Sequence, residues 1–135
     1  MRGVGNDMSV LLVQFFKDNK SGELNALPFE IYPSPDCIPF NVRAEDYLDW
    51  VEKAVEYIKR SKCDIIILDE FADLIPNFIS FEKAKSVLQN EKTEYIITGH
   101  YENKDLIKIA DYVTRFEKEK HPYDKGVKAR KGIEY

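Results

Sequence analysis

The chain has 135 residues, a formal net charge of −4, 44% hydrophobic and 33% charged residues. That length suits one domain with one core, and the composition is that of an ordinary globular protein rather than a disordered one. The acidic balance argues against a nucleic-acid partner, which needs an excess of Lys and Arg to displace counterions from a phosphate backbone. No apolar run approaches the roughly 20 residues that span a bilayer, residues 1–7 lack the apolar core of a signal peptide, and Cys37 and Cys63 have no metal-ligand spacing. The expectation is a cytoplasmic protein with reduced thiols and no membrane partner.

Val10-Leu11-Leu12-Val13, ending in Gln14-Phe15-Phe16, is a short β-branched apolar run after a Gly/Asn-rich start, and it reads as a buried strand. Lys17 to Leu27 is polar and carries Gly22, as a loop does. Pro28, Pro33, Pro35 and Pro39 then exclude a regular helix and allow only a short extended piece, Phe29–Tyr32. Glu45–Lys62 predicts a helix: Tyr47, Val51, Ala54, Val55 and Ile58 share one face, charged residues occupy the other, and acids lead while bases finish. Ile65-Ile66-Ile67-Leu68 is continuously apolar, which predicts a strand covered on both faces. A short helix over Phe71–Ile75 is stopped by Pro76, and Ser80 caps a helix over Phe81–Asn90. Tyr95–Thr98 predicts a strand ended by Gly99, Lys104–Ala110 a helix, and Tyr112–Phe116 a last strand. Strands alternating with helices predict an α/β fold with a mostly parallel sheet and flanking helices.

Three places could carry chemistry. Asp69-Glu70 follows a buried strand, so both carboxylates fall at the C-terminal sheet edge, where open α/β sheets bind ligands. Acids there can hold Mg²⁺, commonly through its water shell, beside phosphates; the competing reading is that they cap the short helix that follows. Thr98-Gly99-His100 offers a hydroxyl, a flexible backbone and a donor to a polyphosphate. By itself it reads as a strand-ending turn with Gly99 at positive φ. The third is the tail. Between Lys118 and Lys131 six bases face only Glu119 and Asp124, and the segment adds His121, Pro122 and Tyr123. It could fold over a large ligand or phosphates, although composition alone suits a frayed terminus. A phosphate-binding loop of the form GxxxxGK[ST] does not occur in the 135 residues.

Taken in order, these pieces resemble the ATP:corrinoid adenosyltransferase family. The matching segments are Arg2-Gly3-Val4-Gly5 leading into Val10–Lys17, Gly22-Glu23, Ile67-Leu68-Asp69-Glu70, Ile97-Thr98-Gly99, Ala110–Thr114, and the tail Lys120-His121-Pro122-Tyr123-Asp124 with Gly126-Val127-Lys128-Ala129-Arg130-Lys131-Gly132-Ile133-Glu134-Tyr135. The tail is the specific part, and the resemblance covers nearly the whole chain. It implies transfer of the 5′-deoxyadenosyl group from ATP to Co(I) of a corrinoid, with Mg²⁺, and with a reductant or flavoprotein supplying the Co(I). Cobalt is the nucleophile, so the protein contributes positioning and charge neutralisation. By the same resemblance Asp69 and Glu70 lie on the Mg²⁺–triphosphate side, with Thr98, Gly99 and His100 near the nucleotide. Phe40 and the tail residues His121, Pro122, Tyr123, Asp124, Gly126, Lys128 and Arg130 face the corrinoid or close the site.

The chain departs from the family pattern in three respects. Family members begin with a strand, a Gly-Lys-Thr loop and a helix reaching the position of Arg2–Gly5. The expectation is therefore an N-terminally truncated P-loop NTPase (RecA-like) domain, lacking that strand and most of its helix, over residues 1–119. Residues 120–135 form the closing tail. Such a chain would be inactive or impaired alone, with an unpaired sheet edge through which it could form a homodimer. His100 stands where the family commonly has Arg, and Phe40 is the one aromatic counterpart in the Pro-rich loop. The alternative is a non-catalytic corrinoid-binding carrier that has lost nucleotide binding.

Overall fold

The computed structural model describes residues 1–17, 24, 26–35, 44–128 and 130. Four strands, Val10–Gln14 (β1), Glu30–Ile31 (β2), Ile65–Asp69 (β3) and Glu94–Ile97 (β4), form one sheet in the order β2-β1-β3-β4. All three pairings are parallel. The helices Ala44–Arg60 (α1), Phe81–Val87 (α2) and Lys104–Ile109 (α3) alternate with the strands, and a 3-10 turn spans Phe71–Leu74. Parallel neighbours need a long crossover, and α1 and α2 supply those leading into β3 and β4. The predicted α/β fold with a parallel sheet and flanking helices is the one observed.

Register explains the core. Leu11 lies beside Ile66 and Val13 beside Leu68, and all four are fully buried. The α1 stripe of Tyr47, Val51, Ala54, Val55 and Ile58 packs on that face together with Ala84 and Val87 of α2. Ser80 caps α2 as its sequence position predicts, its hydroxyl accepting from the Lys83 amide at 3.2 Å. Beyond the C-terminal ends of β1 and β3 the packing turns aromatic. The Phe15 ring lies 5.4 Å from Phe71 and 5.6 Å from Trp50. Trp50 donates to the Pro33 carbonyl at 3.0 Å and is a packing residue. The Tyr47 hydroxyl accepts from the Phe16 amide at 2.8 Å; burial pushes its pKa up to about 12, with that bond pulling the other way. This aromatic floor fixes the two strand ends from which the site is built.

Two expectations are corrected. The continuous apolar run in β3 is not covered equally on both faces: Ile66 and Leu68 are buried, whereas Ile65 and Ile67 are half-buried. On β4, Ile96, level with Ile67, is 45% exposed. Both α1 and α2 pack on the Leu11/Ile66 face, so the other face opens progressively towards β4. Nor is Tyr112–Phe116 a strand. A strand is defined by its pairing, and among the described residues nothing pairs with the outer edge of β4 or with 112–116. Tyr112 and Phe116 stand 90% and 92% exposed. Among the described residues no helix is long and apolar enough to cross a membrane.

Candidate functional site at the strand ends

Parallel registration places the ends of β1, β3 and β4 side by side. Gln14 lies beside Asp69, and Leu68 beside Ile97, so Asp69 and Thr98 emerge as neighbours. The Thr98 hydroxyl donates to Asp69 Oδ1 at 2.8 Å and accepts from the Glu70 amide at 2.9 Å. Lys17, just past β1, donates to Asp69 Oδ2 at 2.8 Å, and Gln14 Nε2 reaches the same oxygen at 3.3 Å. Burial alone would raise the Asp69 pKa. The bonds from Lys17 and Thr98, with the Lys17 charge and Gln14, outweigh it and hold the carboxyl below its usual range. Asp69 is thus an ionised anchor whose oxygens already hold three donors.

Its neighbour differs. Glu70 sits in the left-handed region at φ 60°, ψ 18°, a conformation that costs a non-glycine residue about 1–3 kcal/mol and tends to occur at functional sites. Burial raises its pKa, with His100 and Lys17 opposing. Among the described residues its carboxylate has no hydrogen-bond partner.

A residue that the sequence reading missed completes the cluster. Asp73, in the 3-10 turn, accepts at Oδ1 from the His100 amide at 2.9 Å and the Tyr101 amide at 3.3 Å. Its Oδ2 lies 2.8 Å from His100 Nδ1. The Asp73 side chain is 11% exposed and the His100 side chain 68%. The bond to Asp73 raises the His100 pKa, partly opposed by burial and helped by Glu70. Glu70, Asp73 and His100 each offer a ligand atom, and these atoms lie within 4.8 Å of one another. Three-residue spacing from Glu70 to Asp73 hinted at one side of a turn. The pairing with His100 depends on strand order, which local sequence does not carry.

Gly99 is required by close approach and not by positive φ, since it lies outside the left-handed region. A Cβ there would sit 2.6 Å from Ala72 Cβ and 3.1 Å from Asp73 Oδ1. Gly99→Ala is therefore expected to push the 98–101 turn off the 3-10 turn and to cost about 1–3 kcal/mol. A lowered urea midpoint at unchanged m-value checks this.

Asp69, Glu70, Thr98, Gly99 and His100 are thus brought together. The tail is not joined to them by its described contacts. His121 Nδ1 accepts from the Tyr123 amide at 3.1 Å, and Lys118 pairs with Asp124 at 2.9 Å. Gly126 closes the 3-10 turn Pro122–Lys125 at φ 79°. Tyr123 is 73% exposed, and Lys128 and Arg130 are also exposed. Phe40 lies outside the described residues, as do Ala129 and residues 131–135. Shallow hollows also run along α1, lined by Tyr32, Tyr57 and Arg60 among others. They collect none of the strand-end carboxylates.

The family model for ATP:corrinoid adenosyltransferase BtuR/CobO/CobP matches residues 1–135. A corrinoid adenosyltransferase of Sinorhizobium sp. is 36% identical over 88 residues, covering 62% of this chain and 41% of that protein. The corrinoid adenosyltransferase of Escherichia coli (strain K12) is 29% identical over 153 aligned residues, covering 99% of this chain and 74% of that protein. The same coverage and identity hold for corrinoid adenosyltransferase CobA of Salmonella typhimurium. The chain thus matches about two-fifths of the first relative's length and three-quarters of the others'.

Proposed function

The chain belongs to the ATP:corrinoid adenosyltransferase family, and from that premise we propose that it serves transfer of the 5′-deoxyadenosyl group from ATP to Co(I) of a corrinoid in the cytoplasm. A cobalt–carbon bond forms at C5′, the C5′–oxygen bond breaks, and triphosphate leaves. A reductant or flavoprotein supplies the Co(I). The observation that carries the reading is the division of labour at the end of β3: Asp69 is tied to Lys17 and Thr98, while Glu70 stays unpartnered among the described residues.

In this reading Glu70 holds Mg²⁺ on the triphosphate side. One carboxylate suffices there, because Mg²⁺ normally keeps waters and takes its other oxygens from phosphates. Asp69, already holding three donors, acts through water and keeps Lys17 in place. Bound Mg²⁺ would neutralise charge on the departing triphosphate. Thr98 and Gly99 bring backbone close to the nucleotide, and His100 supplies a donor where the family commonly has Arg. The tail from His121 through Gly126, Lys128 and Arg130 closes over the site, and Phe40 faces the corrinoid.

The 135 residues contain no GxxxxGK[ST], so the reading takes the phosphate cradle from a strand–loop–helix segment outside them and expects the 135-residue chain alone to be impaired. The test compares this chain with one extended at its N-terminus by such a segment. Each is given ATP, Mg²⁺, reductant and cobalamin, and the cobalt–carbon bond is followed by its light-sensitive absorption. ATP- and reductant-dependent product from the extended chain is expected. An extended chain that binds corrinoid tightly without ATP dependence and makes no product would overturn the reading in favour of a carrier.

A further inference from the structure

We propose that Glu70, Asp73 and His100 form a site for a first-row divalent transition ion such as Zn²⁺ or Co²⁺, which this chain binds without nucleotide. The proposal deepens the reading of Glu70 as the metal-side carboxylate and rests on it only for that residue's accessibility.

Donor chemistry points away from Mg²⁺ as the preferred ion. Mg²⁺ favours an all-oxygen shell, whereas an imidazole beside carboxylates suits zinc, cobalt, nickel or iron. Two carboxylates and a neutral imidazole also balance a 2+ charge. Geometry supplies the preorganisation. Asp73 is held by the amides of His100 and Tyr101, and Gly99 lies tight against Ala72, so the backbone carrying two of the ligands is fixed. His100 Nδ1 already stands 2.8 Å from Asp73 Oδ2. An ion entering there takes the Nδ1 lone pair, and any proton on that nitrogen moves to Nε2 or to solvent.

Ligand atoms on one tetrahedral zinc lie about 3.3–3.6 Å apart, from metal–ligand bonds of about 2.0–2.2 Å. The cluster's atoms lie within 4.8 Å of one another, and closing it on an ion takes movement on the order of an ångström. The exposed His100 ring and the unpartnered Glu70 side chain can provide that movement. The family's more common arginine at position 100 could not ligate at all, because guanidinium remains protonated and has no lone pair to give. The nitrogen donor of the cluster is thus supplied by His100 alone among its three residues.

The test titrates the 135-residue chain with Zn²⁺ by calorimetry, and with free Co²⁺ by its visible absorption, without ATP or corrinoid. His100→Ala is expected to weaken Zn²⁺ binding at least about tenfold and to reduce the Co²⁺ bands, with Mg²⁺ affinity changed less than about twofold. His121→Ala, which removes the chain's other imidazole, should leave both ions unaffected. Far-UV dichroism confirms that each variant is folded, and His100→Gln, of similar size, should behave as His100→Ala does. Zn²⁺ binding by either His100 variant at the wild-type affinity overturns the proposal, as does wild-type chain that gives no Co²⁺ bands. Neither outcome bears on adenosyl transfer, and failure of that transfer leaves the ion titration standing.

Discussion

Phe71→Ala is expected to destabilise the chain by about 3–5 kcal/mol, the usual cost of removing a fully buried aromatic ring that its neighbours cannot refill. Phe71 is completely buried, and its ring meets Phe15 at 5.4 Å. Phe15 in turn carries Trp50 at 5.6 Å. These neighbours are locked on one side by β1 and on the other by α1, so the cavity stays largely open. A domain of this size holds a total of about 5–15 kcal/mol, and such a loss would leave it close to the threshold of folding. Urea unfolding checks the figure, and Phe71→Leu, which keeps most of the volume, should lose less. Phe71 also directly follows Glu70, so the loss should loosen the left-handed turn that aims that carboxylate. An alanine variant unfolding at the wild-type midpoint would mean that the floor of the site is not packed as described.

Glu70→Gln should behave in the opposite way, with a large loss of activity and little or none of stability. On the proposed function, the loss of kcat/KM in the N-terminally extended chain is expected to be on the order of 10²-fold, as for removing one charge-stabilising group from a transition state. Glutamine keeps the length of the side chain and its backbone demands but removes the negative charge on which the proposed Mg²⁺ role of Glu70 depends. The stability sign follows from the raised pKa of Glu70, for which burial is the largest cause. A carboxyl whose folded pKa is raised favours the folded state when protonated, and that contribution is lost as pH rises through the folded value. At neutral pH the charged form is therefore a burden on folding, and a permanently neutral amide removes it. The thermal midpoint should stay level or rise slightly. Asp69→Asn should show the reverse order of effects on stability, because it strips Lys17 and Thr98 of an ionised acceptor.

The contrast between these adjacent acids shows where sequence reading ran out. Ile65–Leu68 followed by Asp69-Glu70 was enough to put both carboxylates at a sheet edge, because apolar continuity reports a strand in a parallel sheet. It could not say which one would be occupied. That depends on Lys17 and Thr98 arriving from β1 and β4, contacts 52 and 29 residues away in sequence. Asp73 escaped notice for the same reason, being drawn to His100 by strand order rather than by any local pattern. Gly99 was legible as a special position, but the cause was wrong: the missing Cβ makes room for Ala72. Tyr112–Phe116 has strand composition and no strand structure, since β propensity measures fit to a partner surface. Helix periodicity was the most dependable signal, and the Tyr47-to-Ile58 stripe predicted from spacing is the buried face of α1.

The most direct test of the site is to map where nucleotide meets the protein. Backbone amide resonances of the chain, followed by NMR as Mg·ATP is raised to millimolar levels, should shift at Glu70, Ala72, Thr98, Gly99 and His100 even if binding is weak. Shifts confined to the hollow beside Tyr32 and Tyr57, with the ends of β3 and β4 silent, would contradict the placement of the nucleotide at the acidic strand end.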